Sequence, residues 1–156
     1  GDLPHPRERE YLRMLEQQIG QVPPRFILPY EALDDSVCRA TLEQLLAVEP
    51  RPTALFAGND RVALVLLKHL SAMGVNVPHE MSVVGFDNLR FTEHLPVPLT
   101  TVDQPKQEMG RRAVELLLER IELVGEGEPR SEVFHPHLVI RDSCAIAPRL
   151  NVLVPQ

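Results

Sequence analysis

Pro52-Thr-Ala-Leu-Phe-Ala-Gly-Asn-Asp60, Val77-Pro-His-Glu-Met-Ser-Val-Val-Gly-Phe-Asp-Asn88 and Pro98-Leu-Thr-Thr-Val-Asp-Gln-Pro105 follow one another in the middle of this chain, and their reading decides the fold. In the first two, a short apolar run stops at a polar tip, Asn59-Asp60 in one and Asp87-Asn88 in the other. Strands of a parallel sheet are buried on both faces and so read as apolar runs, and the carboxyl ends of such strands are where an open α/β sheet presents side chains to a ligand.

Working outward, strand starts fall near Phe26, Ala54 and Val83, 28 and 29 residues apart, with a helical pattern in each gap. A strand-helix-strand unit needs about 30 residues, and its handedness sets neighbouring strands parallel. The expected class is therefore α/β, a parallel sheet flanked by helices. Asp34, Asp35 and Ser36 offer capping oxygens before Cys38, Leu42, Leu45 and Leu46, and Pro50 and Pro52 close that segment. Asn59 or Asp60 caps a second helix running to about Met73, where Gly74 supplies the left-handed residue that ends it. From Pro105 onward, Met109, Ala113, Leu116, Leu117, Ile121 and Val124 recur at helical spacing.

A further helix is expected over about Arg7 to Ile19, with Tyr11, Leu12 and Leu15 on one face. Gly125 to Pro129 reads as a turn-rich connector. After it Val133, His135, His137, Val139 and Arg141 alternate with Phe134, Leu138 and Ile140, as in a strand that Pro136 confines to an edge.

At 156 residues, 44% hydrophobic and 24% charged, the chain is long enough for one sizeable core. Its 16 basic and 22 acidic residues give a formal charge of −6, the opposite of a nucleic-acid-binding surface. Cys38 and Cys144 form no CxxC pair and suggest no disulfide framework, which agrees with a cytosolic setting. No apolar run approaches the roughly 20 residues of a membrane span, and none has the form of an export leader.

The three quoted segments, in this order and with a helical pattern between them, resemble the effector-binding core of the lactose-repressor/galactose-repressor family of bacterial regulators, which shares the fold of periplasmic binding proteins. The resemblance implies a two-lobed module in which residues 1–104 form most of the second lobe. It assigns residues 105–130 to a helix and connector of the first lobe, and residues 131–156 to a returning strand and tail. It also implies that a helix-turn-helix headpiece, most of the first lobe and the opening strand and helix of the second belong to sequence preceding Gly1.

Sugar hydroxyls both donate and accept, so sugar sites use planar polar side chains such as Asp, Asn and Arg. Asn59 and Asp87, at two consecutive strand tips, stand where the family binds its effector, and Gly85-Phe86-Asp87 repeats the family motif. Read from the residues alone, both also suit a helix cap or a turn, the roles expected of Asp60 and Asn88. The family places an effector-binding arginine four residues before an aromatic, which points to Arg7 before Tyr11. Glu10 replaces the family's glycine there, and Arg9 is the alternative.

Lys106 stands where some members present an aromatic to the sugar ring, Leu33 lies near another such position, and Tyr30 is close by. With no Trp and 4% aromatics the stacking surface is thin, which makes room for a smaller, phosphorylated or acidic effector balanced by Lys106 and Arg7. The resemblance further implies a homodimer through Leu64 and Leu95.

His135-Pro136-His137 has no Cys, Asp or Glu at a spacing that closes a metal site, and no nucleophile motif or phosphate-cradling loop occurs. No catalytic residue, metal or cofactor is therefore expected. The sequence reads as the sugar-binding part of a cytoplasmic transcription regulator that meets operator DNA only through its headpiece. The alternative is a periplasmic sugar-binding protein of a transport system; an α/β enzyme would need a nucleophile-base pair that is not found.

Overall fold

A computed structural model describes residues 6–19, 35–122 and 130–147. Among these residues four helices and four strands follow the order α1 (Pro6–Ile19), α2 (Asp35–Leu46), β1 (Ala54–Phe56), α3 (Asp60–Ala72), β2 (Ser82–Phe86), β3 (Thr100–Asp103), α4 (Lys106–Glu122) and β4 (His137–Val139). A 3-10 turn, Arg90–His94, lies between β2 and β3. The strand expected near Phe26 and the connector over 125–129 fall outside the described residues.

The sheet order is β1-β2-β3-β4. β1 runs parallel to β2 and β2 to β3, with Leu55 opposite Val83 and Gly85 opposite Thr101. β4 makes the sheet mixed, since it is antiparallel to β3 with Asp103 opposite His137. The reason lies in α4. A helix that packs back across a sheet face returns the chain for another parallel strand, whereas α4 buries no residue. The chain therefore re-enters the sheet from the carboxyl edge that it left. β4 is an edge strand, as Pro136 suggested, but it is short, and Leu138 and Ile140 are exposed.

α3 is built as the sequence suggested. Its cap, however, is Asn59 and not Asp60: Asn59 accepts from the Val62 N–H at 2.9 Å, while the Asp60 carboxylate turns to Thr101 and Leu89, and Gly74, with φ of 73°, turns the chain beyond the carboxyl end. Its Val62, Ala63, Leu66 and Leu70 join Cys38, Leu42 and Leu45 of α2 and Met81, Val83 and Leu99 around β2 in one core. On β1, the Phe56 ring stacks on Tyr11 of α1, with centroids 5.3 Å apart.

Residues 141–143 complete the sheet from outside it. The Ser143 hydroxyl accepts from the Thr100 N–H at 2.8 Å and donates to the Val83 carbonyl, while the Ser143 carbonyl accepts from the Val83 N–H at 2.8 Å. These bonds satisfy polar groups that would be costly to bury unpaired.

Candidate functional site

The tips of three adjacent parallel strands meet at one edge: Asn59 beyond β1, Asp87 beyond β2, and Gln104 with Lys106 beyond β3. Asn59 uses its side-chain oxygen as the cap of α3, so its amide hydrogens are the part that can face a ligand. Asp87 and Asn88 adopt positive φ of 111° and 49°, a conformation that costs non-glycine residues on the order of 1–3 kcal/mol. The Gln104 amide donates to Asp87 Oδ1 at 2.9 Å. Lys106 Nζ donates to the Asp87 carbonyl and lies 3.3 Å from Asp103 Oδ1. The structure thus brings together Asp87 and Lys106 and joins Gln104 to them.

Behind this edge Asp60 is fully buried. Its Oδ1 accepts from the Thr101 hydroxyl at 2.6 Å and its Oδ2 from the Leu89 N–H at 2.7 Å. Burial pushes the Asp60 carboxyl above the ordinary carboxylate range; the bonds from Thr101 and Leu89 pull it back, and the neighbouring Asp87 charge adds to the rise. Arg141 donates to Asn88 Oδ1 at 2.8 Å, to the Leu99 carbonyl at 2.8 Å and to the Thr92 hydroxyl at 3.2 Å.

Arg7 lies in α1, but its side chain is outside the described part of the structure, as are Tyr30 and Leu33. Arg9 is exposed on the same helix. Leu64 and Leu95 line one hollow of about 600 Å³ between α3 and residues 95–97, together with Leu67, Lys68, Val75 and Val97. Leu64 is 40% exposed, and Leu95 is partly buried against the core. Sequence reasoning missed Gln104 and Arg141. Gln104 stood inside the quoted Val-Asp-Gln-Pro segment, one residue beyond a strand, and that position was its signal. Arg141 carried none, because its acceptors lie 42 to 53 residues away along the chain. Among the described residues no group of three or more His, Cys, Asp or Glu side chains can hold a metal ion, and no helix is long and apolar enough to cross a membrane.

A parallel sheet that gathers polar side chains at its carboxyl edge, between helices, defines a ligand-binding α/β lobe. The family model of the periplasmic binding protein-like domain matches residues 2–144, and the chain belongs to that family, in its lactose-repressor/galactose-repressor branch.

The chain is 45% identical over 101 residues to the HTH-type transcriptional repressor PurR of Vibrio cholerae, covering 65% of this chain and 30% of the relative. It is 36% identical over 156 residues to PurR of Escherichia fergusonii, covering 95% and 45%. This chain therefore spans less than half the length of either relative. Among solved structures, a LacI-family transcriptional regulator from Sanguibacter keddieii aligns with a TM-score of 0.76 at 33% identity, over 88% of this chain and 52% of that one. The CelR–cellobiose complex aligns with a TM-score of 0.71 at 33% identity, over 84% and 40%. A LacI-family regulator from Lactobacillus casei with bound glucose gives 0.68 at 27% identity, over 88% and 49%.

Proposed function

We propose that this chain is most of one lobe of a sugar-sensing module in a cytoplasmic transcription regulator. The observation that carries the reading is the polar carboxyl edge of β1 to β3, where Asn59 follows β1 and Lys106, beyond β3, bonds the Asp87 carbonyl beyond β2. Cellobiose and glucose bound in similar structures support the ligand class, and the repressor relatives support the regulatory role. Asn59 and Asp87 would bond the effector hydroxyls, and Arg7 would close on it from α1.

Lys106 lies against Asp103 and the Asp87 carbonyl, so its charge is largely answered within the chain. A neutral, hydroxyl-rich effector fits this edge better than a phosphorylated one. The effector would bind between this lobe and a first lobe, favouring one lobe orientation, and a two-fold dimer would pass the change to DNA-binding headpieces. Residues 105–130 would belong to that first lobe. Nothing in this mechanism requires catalysis.

In a protein carrying both lobes, Asp87→Ala is expected to weaken effector binding by roughly 1.5–3 kcal/mol, the worth of a hydrogen bond to a charged acceptor. Calorimetry that returns the parental affinity would remove Asp87 from the site. The dimer contact would lie over the hollow bordered by Leu64 and Leu95. Leu64→Glu should sediment as a folded monomer, and a folded dimer would move the interface elsewhere.

A further inference from the structure

We infer that Asp60 is a positioning residue of the ligand edge: its buried carboxylate fixes the turn on which Asp87 is carried. This rests on the reading of Asp87 as an effector contact.

The turn needs a fixative. Asp87 and Asn88 both hold positive φ, and a free loop would relax from that conformation. Asp60 supplies the restraint through the two amides that follow Asp87. It accepts the Leu89 N–H directly at 2.7 Å and reaches the Asn88 N–H through Thr101, whose hydroxyl accepts from Asn88 at 3.3 Å while donating to Asp60 at 2.6 Å. Both carboxylate oxygens are thus committed to elements other than α3. Helix capping does not account for this, because Asn59 already caps α3. A carboxylate in a first helical turn is ordinarily favoured at the surface, where the helix dipole alone explains it; this one is wholly buried.

β2 is shaped to admit it. A Cβ on Gly85 would lie 2.2 Å from Asp60 Oδ1 and 2.8 Å from Leu99 Cδ2, so only glycine lets the carboxylate rest against the strand. Arg141 donates to the Asn88 side chain as well. Asn88, the residue that follows Asp87, is thus held at its amide through Thr101 and at its side chain by Arg141.

The test uses the 156-residue chain in nitrogen-proton correlation spectra. In Asp60→Asn, the amides of Asp87, Asn88 and Leu89 should exchange with solvent at least tenfold faster while α2 keeps its protection. On acidification the Asn88 and Leu89 resonances should move together in the parent and in Asp87→Asn, but not in Asp60→Asn. Thr101→Val, which keeps the side-chain shape, should free Asn88 alone, and it carries the test should Asp60→Asn fail to fold. Equal loss of protection in α2 and in the turn, or a Leu89 resonance indifferent to Asp60, would overturn the inference.

A binding arm, run in a protein carrying both lobes, titrates cellobiose, glucose, sucrose and ribose, the sugars bound in related structures. For any that the parent binds, Asp60→Asn should weaken affinity at least tenfold. Parental affinity in Asp60→Asn, where Asp87→Ala has lost binding, would sink the positioning role. Parental affinity in Asp87→Ala would instead sink the effector-contact reading, and the amide arm then decides the clamp by itself.

Discussion

Helix α3 leaves the tip of β1 and α4 leaves the tip of β3, and both carry apolar residues at helical spacing. α3 buries Asp60, Val62, Ala63, Leu66, His69 and Leu70, whereas α4 buries no residue and leaves Val114, Leu117, Leu118 and Ile121 more than half exposed. The difference teaches that an apolar stripe specifies a helix but not its partner: α3 has α2 on one side and β2 on the other, and α4 has neither. What α4 has instead is surface charge. Arg112 bonds Glu115, Glu119 and Glu132, and Arg130 bonds Glu119, so residues 130–132 are latched along the helix by ions.

The contrast should be plainest in stability. Leu70→Ala empties a fully buried site and is expected to cost about 2–5 kcal/mol in denaturant unfolding of this chain. Leu117→Ala, at 58% exposure, should stay within about 0.5 kcal/mol. Comparable losses would mean that α4 has a partner after all, and a loss at Leu117 that grows with protein concentration would identify it as another copy of the chain.

Acid offers a finer separation. Hydrogen bonds from Arg112 hold the Glu115 and Glu132 carboxyls below the ordinary range, so their contribution is present above the unfolded value and lost as pH falls through the folded one. Both are surface groups, and the expected effect is local: residues 130–132 should come off α4 in acid, seen as faster amide exchange there, with α3 unchanged. Asp60 has the opposite sign. Its folded value is raised, so within its window the folded state gains as pH falls. Release of α3 before residues 130–132 on acidification would reverse the comparison.

Much of this was legible beforehand. Apolar runs located β1 and β2, and Asn59, Asp60 and Gly74 marked the ends of α3, because those signals are local. β3 was not read as a strand, since Thr100-Thr101-Val102-Asp103 is hardly apolar. Its threonines are nevertheless buried, and their hydroxyls are satisfied by Asp60 and Arg141, 41 residues distant in either direction along the chain. At the candidate site, the tip positions of Asn59 and Asp87 followed from strand geometry. The clamp behind them did not, because a buried carboxylate and a capping one look alike in sequence. The orientation of β4 was hidden for a related reason: it depends on where α4 fails to pack.

The bonds of Ser143 set an order of assembly. Its partners Thr100 and Val83 precede it by 43 and 60 residues, so on a ribosome the middle of the sheet emerges well before the residue that closes it. Until then the Val83 carbonyl and the Thr100 amide lack that hydroxyl and must be served by water. Contacts of such long separation are slow to close, because chain entropy is lost before they form. The nascent lobe would therefore hold its helical core early and its finished sheet late, with an interval in which chaperones have an incomplete β surface to hold.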